Sequence, residues 1–219
     1  LERAIIIPTP SDPDDVAVMV GQAAANYFAQ LLAATDMRGV GTAWGLTLRE
    51  MVRFMPASRN PDLCISSVVG GLTRGIAINT FDIASDLARQ LGAECAYMAA
   101  PVYVESKSAR DAILREESFK QIFQRISKSD LVFVSIGDLT DRSLTMRYGL
   151  PPDISVKSLL DAGAVGDILS QFIDRNGRPI KHQINDRVVG MSLKSLDDVP
   201  RVVATAGGVP KATAIAAAL

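Results

Sequence analysis

Short apolar runs alternate along the chain with longer segments whose apolar residues recur every three to four positions. The first pattern fits strands buried on both faces; the second fits helices packed along one side. RAIIIP, at the start, predicts a strand. SDPDD then marks a helix start, with Ser11 as cap, Pro13 in the first turn and acids near the positive helix end. VAVMVGQAAANYFAQLLA continues it with helical spacing. RGVGTAW predicts a strand ending in a Gly-rich loop, and TLREMVRFM sets Leu48, Met51, Val52 and Met55 on one side of a helix. LCISSVVGG predicts a buried strand. NTFDIASDLARQLG predicts a helix capped by Asn79 or Thr80 and stopped at Gly92. AECAYMAAPVYV reads as a strand and ARDAILREESFKQIFQRISKSD as helical. LVFVSIGDL, apolar on both faces, is the strongest strand signal. VKSLLDAGAVGDILSQFID predicts a helix around a glycine interruption, RNGRP a turn, DRVVGMSL a strand and SLDDVP a helical turn. RVVATAGGVPKATAIAAAL predicts a strand, a loop and a helix.

Strand then helix, repeated about six times, predicts an α/β fold with a parallel sheet and helices on both faces. Ligands of such sheets gather beyond the carboxyl ends of the strands. The segments expected there are GTAWGLT, GGLTRG with NTFD, APVYVES, IGDLTD and AGGVPK, each bearing a hydroxyl or a charge.

Composition narrows this picture. Forty-eight percent hydrophobic and 21% charged residues suit a globule with a substantial core. A net charge of −1 argues against binding nucleic acid or an anionic membrane by bulk electrostatics. No signal segment opens the chain, and no apolar run approaches the ~18 residues of a spanning helix, so no membrane partner is expected. Cys64 and Cys95 are far apart, form no CxxC and read as buried free thiols of a reducing compartment. His182, the single histidine, lies in no metal-binding or general-base pattern. Neither a metal centre nor a cofactor is expected.

Candidate chemistry sits in the loops. In GTAWGLT, Gly41 and Gly45 let backbone approach a ligand, and a helix beginning near Thr47 would aim N–H groups at an anion. Thr42 and Thr47 could donate to phosphate oxygens. The same residues could instead form a turn with a cap, with Trp44 filling the core. AGGVPKA places Lys211 in the first turn of the last helix, where the dipole disfavours a cation and a compensating anion is expected. Asp167, after Gly163 and Gly166, is either a helix cap or an acceptor for sugar hydroxyls. Arg74, Asn79, Asp82 and Asp138 are further candidates, each with a structural reading as surface charge, cap or turn acid. No Ser-His-Asp set and no paired acid/base motif is recognisable. The pattern describes a pocket that holds rather than one that reacts.

At these residues the chain resembles the C-terminal effector-binding domain of the SorC family of bacterial sugar-responsive transcription regulators. The matching stretches are GTAWGLTL, VVGGL, APVYVES, SDLVFVSIGDL, GAVGDILSQFID, DRVVGMSLKSL and PRVVATAGGVPKATAI, in order along nearly the whole chain. The resemblance implies a Rossmann-like fold similar to sugar-phosphate isomerases and glucosamine-phosphate deaminases. It implies one effector-binding domain over residues 1–219 of a cytoplasmic regulator, with an N-terminal helix-turn-helix segment for operator DNA outside this chain. It implies a homo-oligomer, dimer or tetramer, and a phosphorylated sugar or polyol as effector. Gly45, Leu46 and Thr47 would present the phosphate loop with Thr42 nearby, Lys211 would contact the phosphate, and Asp167 and Asn79 would face the sugar. Two rivals remain: a sugar-phosphate isomerase or deaminase on the same fold, and an oligomerisation module with a vestigial pocket.

Overall fold

The computed structural model describes residues 1–73 and 79–219. Its centre is β4 (Leu131–Gly137), where Leu131, Val132, Phe133 and Val134 are all fully buried, as the two-sided apolar run requires. β1 (Gly39–Thr42) pairs parallel with one side of β4 and with β2 (Cys64–Ser67). β2 pairs parallel with β3 (Glu94–Ala96). On its other side β4 pairs parallel with β7 (Val202–Thr205). The parallel order is therefore β3-β2-β1-β4-β7, and the direction of winding reverses between β1 and β4. At such a reversal the loops leaving two neighbouring strands diverge and open a crevice.

Helices cover the sheet as the periodicity requires. α1 (Val16–Ala34), α2 (Leu46–Phe54) and α3 (Thr80–Leu91) form one layer. Leu48, Met51, Val52 and Met55 are all buried on one side of α2. Gly92 stops α3 in the left-handed conformation, its N–H bonded to Ala88 O and Arg89 O. α4 (Lys107–Arg115) and α5 (Glu117–Ile126) return the chain from β3 to β4, and right-handed crossover puts them on the opposite face. α6 (Val156–Asp161) and α7 (Ala212–Ala218) complete the helices among the described residues.

Four local expectations are corrected. RAIIIP forms no strand: residues 1–10 carry no regular structure, and Ile6 is 89% exposed. A β-branched run needs a neighbouring strand to bond, and none lies beside it among the described residues. The cap of the opening turn is Asp12, which accepts from Asp14 N at 2.9 Å, rather than Ser11. GAVGDILSQFID is a hairpin, not a helix: β5 (Gly166–Ile168) and β6 (Gln171–Ile173) pair antiparallel, with β5 on the end of β4. The strand expected over DRVVGMSL is reduced to isolated bridges, Tyr103 with Val188 and Val69 with Gly190.

Two global expectations also change. Pro13–Ala34 is one helical stretch long and apolar enough to cross a membrane by length and composition. In this structure α1 instead lies on α2 and β4, burying Gly21, Ala24, Ala25 and Phe28, with the Phe28 ring edge-on to Phe133 at 5.0 Å. Cys64 and Cys95 are far apart only in sequence. Cys64 faces Glu94 across β2 and β3, so Cys95, one residue on, points to the other side of the sheet. Both thiols are half-buried and free; burial, then Cys64 and Glu94, pushes the Cys95 thiol up.

Candidate ligand-binding cleft

The β1–β4 reversal holds a cleft of about 110 Å³. The loop from β1 to α2 forms one wall with Ala43, Trp44, Gly45, Leu46 and Thr47. The end of β4 forms the floor with Ser135, Ile136, Gly137 and Asp138, and the segment after it adds Arg142, Ser143, Leu144 and Thr145. Asp167, Leu169, Ser170 and Lys211 close the remaining side. The Trp44 turn and the Lys211 turn therefore meet at one rim of the sheet.

Gly45 starts α2 with φ +146°, a backbone conformation open only to glycine in practice. A Cβ there would stand 2.9 Å from Ser135 Oγ, whose hydroxyl donates to Trp44 O at 2.6 Å. No side chain caps α2. Its first N–H groups have no partner within the helix, and they border the cleft at Leu46 and Thr47. Gly45→Ala is expected to destabilise the domain by about 2 kcal/mol and to weaken inorganic phosphate binding, read by thermal unfolding and calorimetry. An unchanged melting temperature would mean that the loop tolerates the strain.

The only tryptophan is a strut rather than mere filling. Trp44 Nε1 donates to Ser170 Oγ at 3.2 Å, tying the β1–α2 loop to the β5–β6 turn. The Tyr103 hydroxyl donates to Ser170 O at 2.6 Å from the other side. That turn is strained, with Leu169 at φ +52° and Ser170 at φ +61°, both left-handed. Burial of Leu169 and the two bonds to Ser170 hold it in place.

The turn sets the position of Asp167 in β5. Its carboxylate lies over Gly137, where a Cβ would collide with Asp167 Oδ1. The Thr145 hydroxyl donates to Oδ1 at 3.4 Å. Burial pushes the Asp167 carboxyl up to about 6, although Lys211, Thr145 and the Ser170 amide pull it down; nearby Asp138 adds to the rise. Lys211 is half-buried, and burial lowers its ammonium against the pull of Asp138 and Asp167. Among the described residues no carboxylate forms an ion pair with Lys211 within 4 Å. A desolvated ammonium with no carboxylate in ion-pair contact, beside open helix N–H groups, is an arrangement that attracts an anion.

Of the sequence-derived candidates, Gly45, Leu46, Thr47, Asp167, Lys211 and Asp138 meet in this cleft. Asp138 is engaged with its own turn, accepting from the Thr140 amide and hydroxyl. Two expected residues are placed elsewhere. Thr42 ends β1 fully buried, with its hydroxyl donating to Ala43 O at 3.1 Å, and does not line the cleft. Asn79 spends its amide on the neighbouring loop: Nδ2 donates to Leu72 O at 3.1 Å and Oδ1 accepts from Leu72 N at 3.2 Å. Asp82 is an exposed acid in the first turn of α3, and Arg74 lies outside the described residues. Sequence reasoning missed Ser135, Arg142, Thr145 and Ser170. The first is an inconspicuous hydroxyl within an apolar strand. Arg142 and Thr145 follow β4 in a segment with no motif of its own, and Ser170 is hidden inside the GAVGDILSQFID stretch because that stretch reads as a helix.

A larger open groove of about 420 Å³ lies on the far side of Tyr103 and the turn Thr145–Gly149. Its buried cation, Arg187, is already satisfied by both oxygens of Asp153 and by Val104 O. Among the described residues that groove therefore offers no unpaired cation, whereas the smaller cleft offers Lys211.

A family model described as "Putative sugar-binding domain" matches residues 1–219. The chain belongs to this sugar-binding domain family. Among curated relatives, the erythritol catabolism regulatory protein EryD of Brucella abortus (strain 2308) is 28% identical over 200 residues, covering 91% of this chain and 63% of its own length. The transcriptional regulator LsrR of Escherichia coli O139:H28 is 30% identical over 226 residues, covering 100% of the chain and 67% of LsrR. A DeoR family transcriptional regulator from Listeria monocytogenes superposes with a TM-score of 0.88 at 25% identity, covering 100% of this chain and 87% of that one. The full-length sorbitol operon regulator SorC from Klebsiella pneumoniae superposes at 0.84 with 21% identity, over 95% of this chain and 68% of SorC, which supports the fold. This sugar-binding domain thus spans about two thirds of the longer regulators. The relatives are named as regulators of transcription, and an isomerase or deaminase is not favoured.

Proposed function

We propose that the domain senses a short phosphorylated sugar or polyol and passes its occupancy to the rest of a cytoplasmic, oligomeric transcription regulator. The carrying observation is the convergence of the open N-terminus of α2, the half-buried Lys211 and the buried Asp167 in one cleft at the strand-order reversal. The phosphate would sit against the amides of Leu46 and Thr47, the Thr47 hydroxyl and the Lys211 ammonium. Asp167 would accept from sugar hydroxyls at the other end. Repulsion between phosphate and carboxylate fixes the direction in which the ligand enters. A cleft of about 110 Å³ favours a compact ligand, and the name of EryD points to a four-carbon polyol. DNA contact would belong to the part of the longer regulators outside the matched region. Ligand then acts by binding two arrangements of the oligomer unequally, here a dimer or tetramer.

A thermal-shift panel of tetritols, pentitols, ketoses and their phosphates tests the reading. A ligand at ~100 times its dissociation constant should add ~2.7 kcal/mol of stability. Trp44, at the cleft wall, should report the same binding through its emission. No shift and no emission change with any compound would leave only an oligomerisation module; steady turnover of a sugar phosphate would establish an enzyme.

A further inference from the structure

Lys211 has a second cation for company. Arg142 also lines the cleft, on the turn between β4 and the Thr145–Gly149 helical turn. Its guanidinium is not free: Nη2 lies 2.7 Å from Asp14 Oδ1, a contact across 128 residues of chain. Asp14 belongs to the short 3-10 turn Pro13–Asp15 that feeds directly into α1. The ion pair thus bolts the cleft mouth to the segment ahead of the first helix.

Three features make this bolt easy to draw. Both side chains are about three-quarters exposed, at 74% and 77%, so water and salt screen their attraction. One guanidinium nitrogen meets one carboxylate oxygen, leaving most of the five donors of the arginine uncommitted. A phosphate dianion offers more charge and two oxygens to the same planar fork, which favours it over a single carboxylate contact.

We propose that Arg142 is an anion-reading residue of the cleft that trades Asp14 for the ligand's phosphate, so that filling the cleft frees the Asp14 turn. The proposal rests on the reading of the cleft as a phosphosugar site and deepens it. Leu46, at the first helical position of α2, brings no charge to the phosphate loop, so Arg142 supplies one from the segment that follows β4. Because coupling is reciprocal, a ligand that displaces Asp14 must bind better when Asp14 is already gone.

The experiment is a double-mutant cycle on the whole domain, titrated calorimetrically with inorganic phosphate and with erythritol 4-phosphate. Arg142→Gln should weaken both probes by about tenfold, with unphosphorylated erythritol little changed. Asp14→Asn should tighten both by about two- to fivefold at low salt, and the gain should shrink as salt rises. In the Arg142→Gln background, Asp14→Asn should do nothing. Arg142→Gln that binds as wild type while Lys211→Ala fails would overturn this assignment and leave the sugar-sensing reading intact. Asp14→Asn without effect at any salt would overturn the exchange. Absence of binding by the wild-type domain would overturn both the exchange and the sensor. Thermal melts of each variant confirm folding; both sites are exposed, and little loss is expected.

Discussion

Asp167→Asn is expected to make the ligand-free domain more stable, not less, by about 3 kcal/mol at pH 8. Burial raises the carboxyl from 3.8 to about 6 in the folded chain. The folded state therefore binds the proton more tightly than the unfolded chain does. Wild-type stability from this group is greatest at low pH and declines as pH rises from about 4 to about 6, levelling off above. Asparagine keeps the shape, carries no charge to desolvate and abolishes that slope. For a domain of this size the gain corresponds to a melting temperature higher by about 6–12 °C. Melts from pH 4 to 8 check it: the two proteins should converge near pH 4 and separate towards pH 8. A variant less stable at pH 8 would mean that attraction to Lys211 outweighs burial. The same substitution should weaken polyol binding while inorganic phosphate still binds. Stability and function are thus opposed at this residue, which is how a site held ready for a ligand differs from a packed core.

Lys211→Ala should weaken a phosphorylated polyol by about a hundredfold and its unphosphorylated form by less than about threefold. The reason is the half-buried ammonium, which has no ion-pair partner within 4 Å among the described residues. A phosphate replaces the water such a group has lost; a hydroxyl does so only weakly. Calorimetry with erythritol 4-phosphate and erythritol measures both arms. Equal losses would make Lys211 a structural cation that merely tempers Asp167. The substitution also removes a pull that lowers the Asp167 carboxyl. Any pH dependence of polyol binding should therefore move to higher pH in the variant.

The hairpin at Asp167 shows where pattern reading fails. Ile168, Leu169, Phe172 and Ile173 recur at helical spacing, so the segment reads as a helix. The structure uses that spacing for two three-residue strands and a left-handed turn. Leu-Ser carries none of the Asn-Gly signature that announces such turns. What holds it is remote: Trp44 bonds to Ser170 Oγ, Tyr103 bonds to Ser170 O, and β4 pairs with β5. RAIIIP fails for the opposite reason, since a strong strand propensity found no edge to join among the described residues.

Local chemistry in the sequence determined most of the frame. The two-sided apolar run of β4, the single-faced spacing of α2 and the Gly92 stop of α3 are satisfied within or next to their own elements. The same reading located the Gly45–Thr47 loop and Lys211, because each follows a strand, and singled out Asp167 only through the glycines before it, in a segment that reads as a helix. Only the tertiary structure decided that these come together while Thr42 and Asn79 do not. It alone tied Arg142 to Asp14 and raised the Asp167 carboxyl. Helix and strand patterns record how a residue meets neighbours a few positions away. Desolvation and the convergence of charges depend on what the folded chain brings in from a hundred residues off.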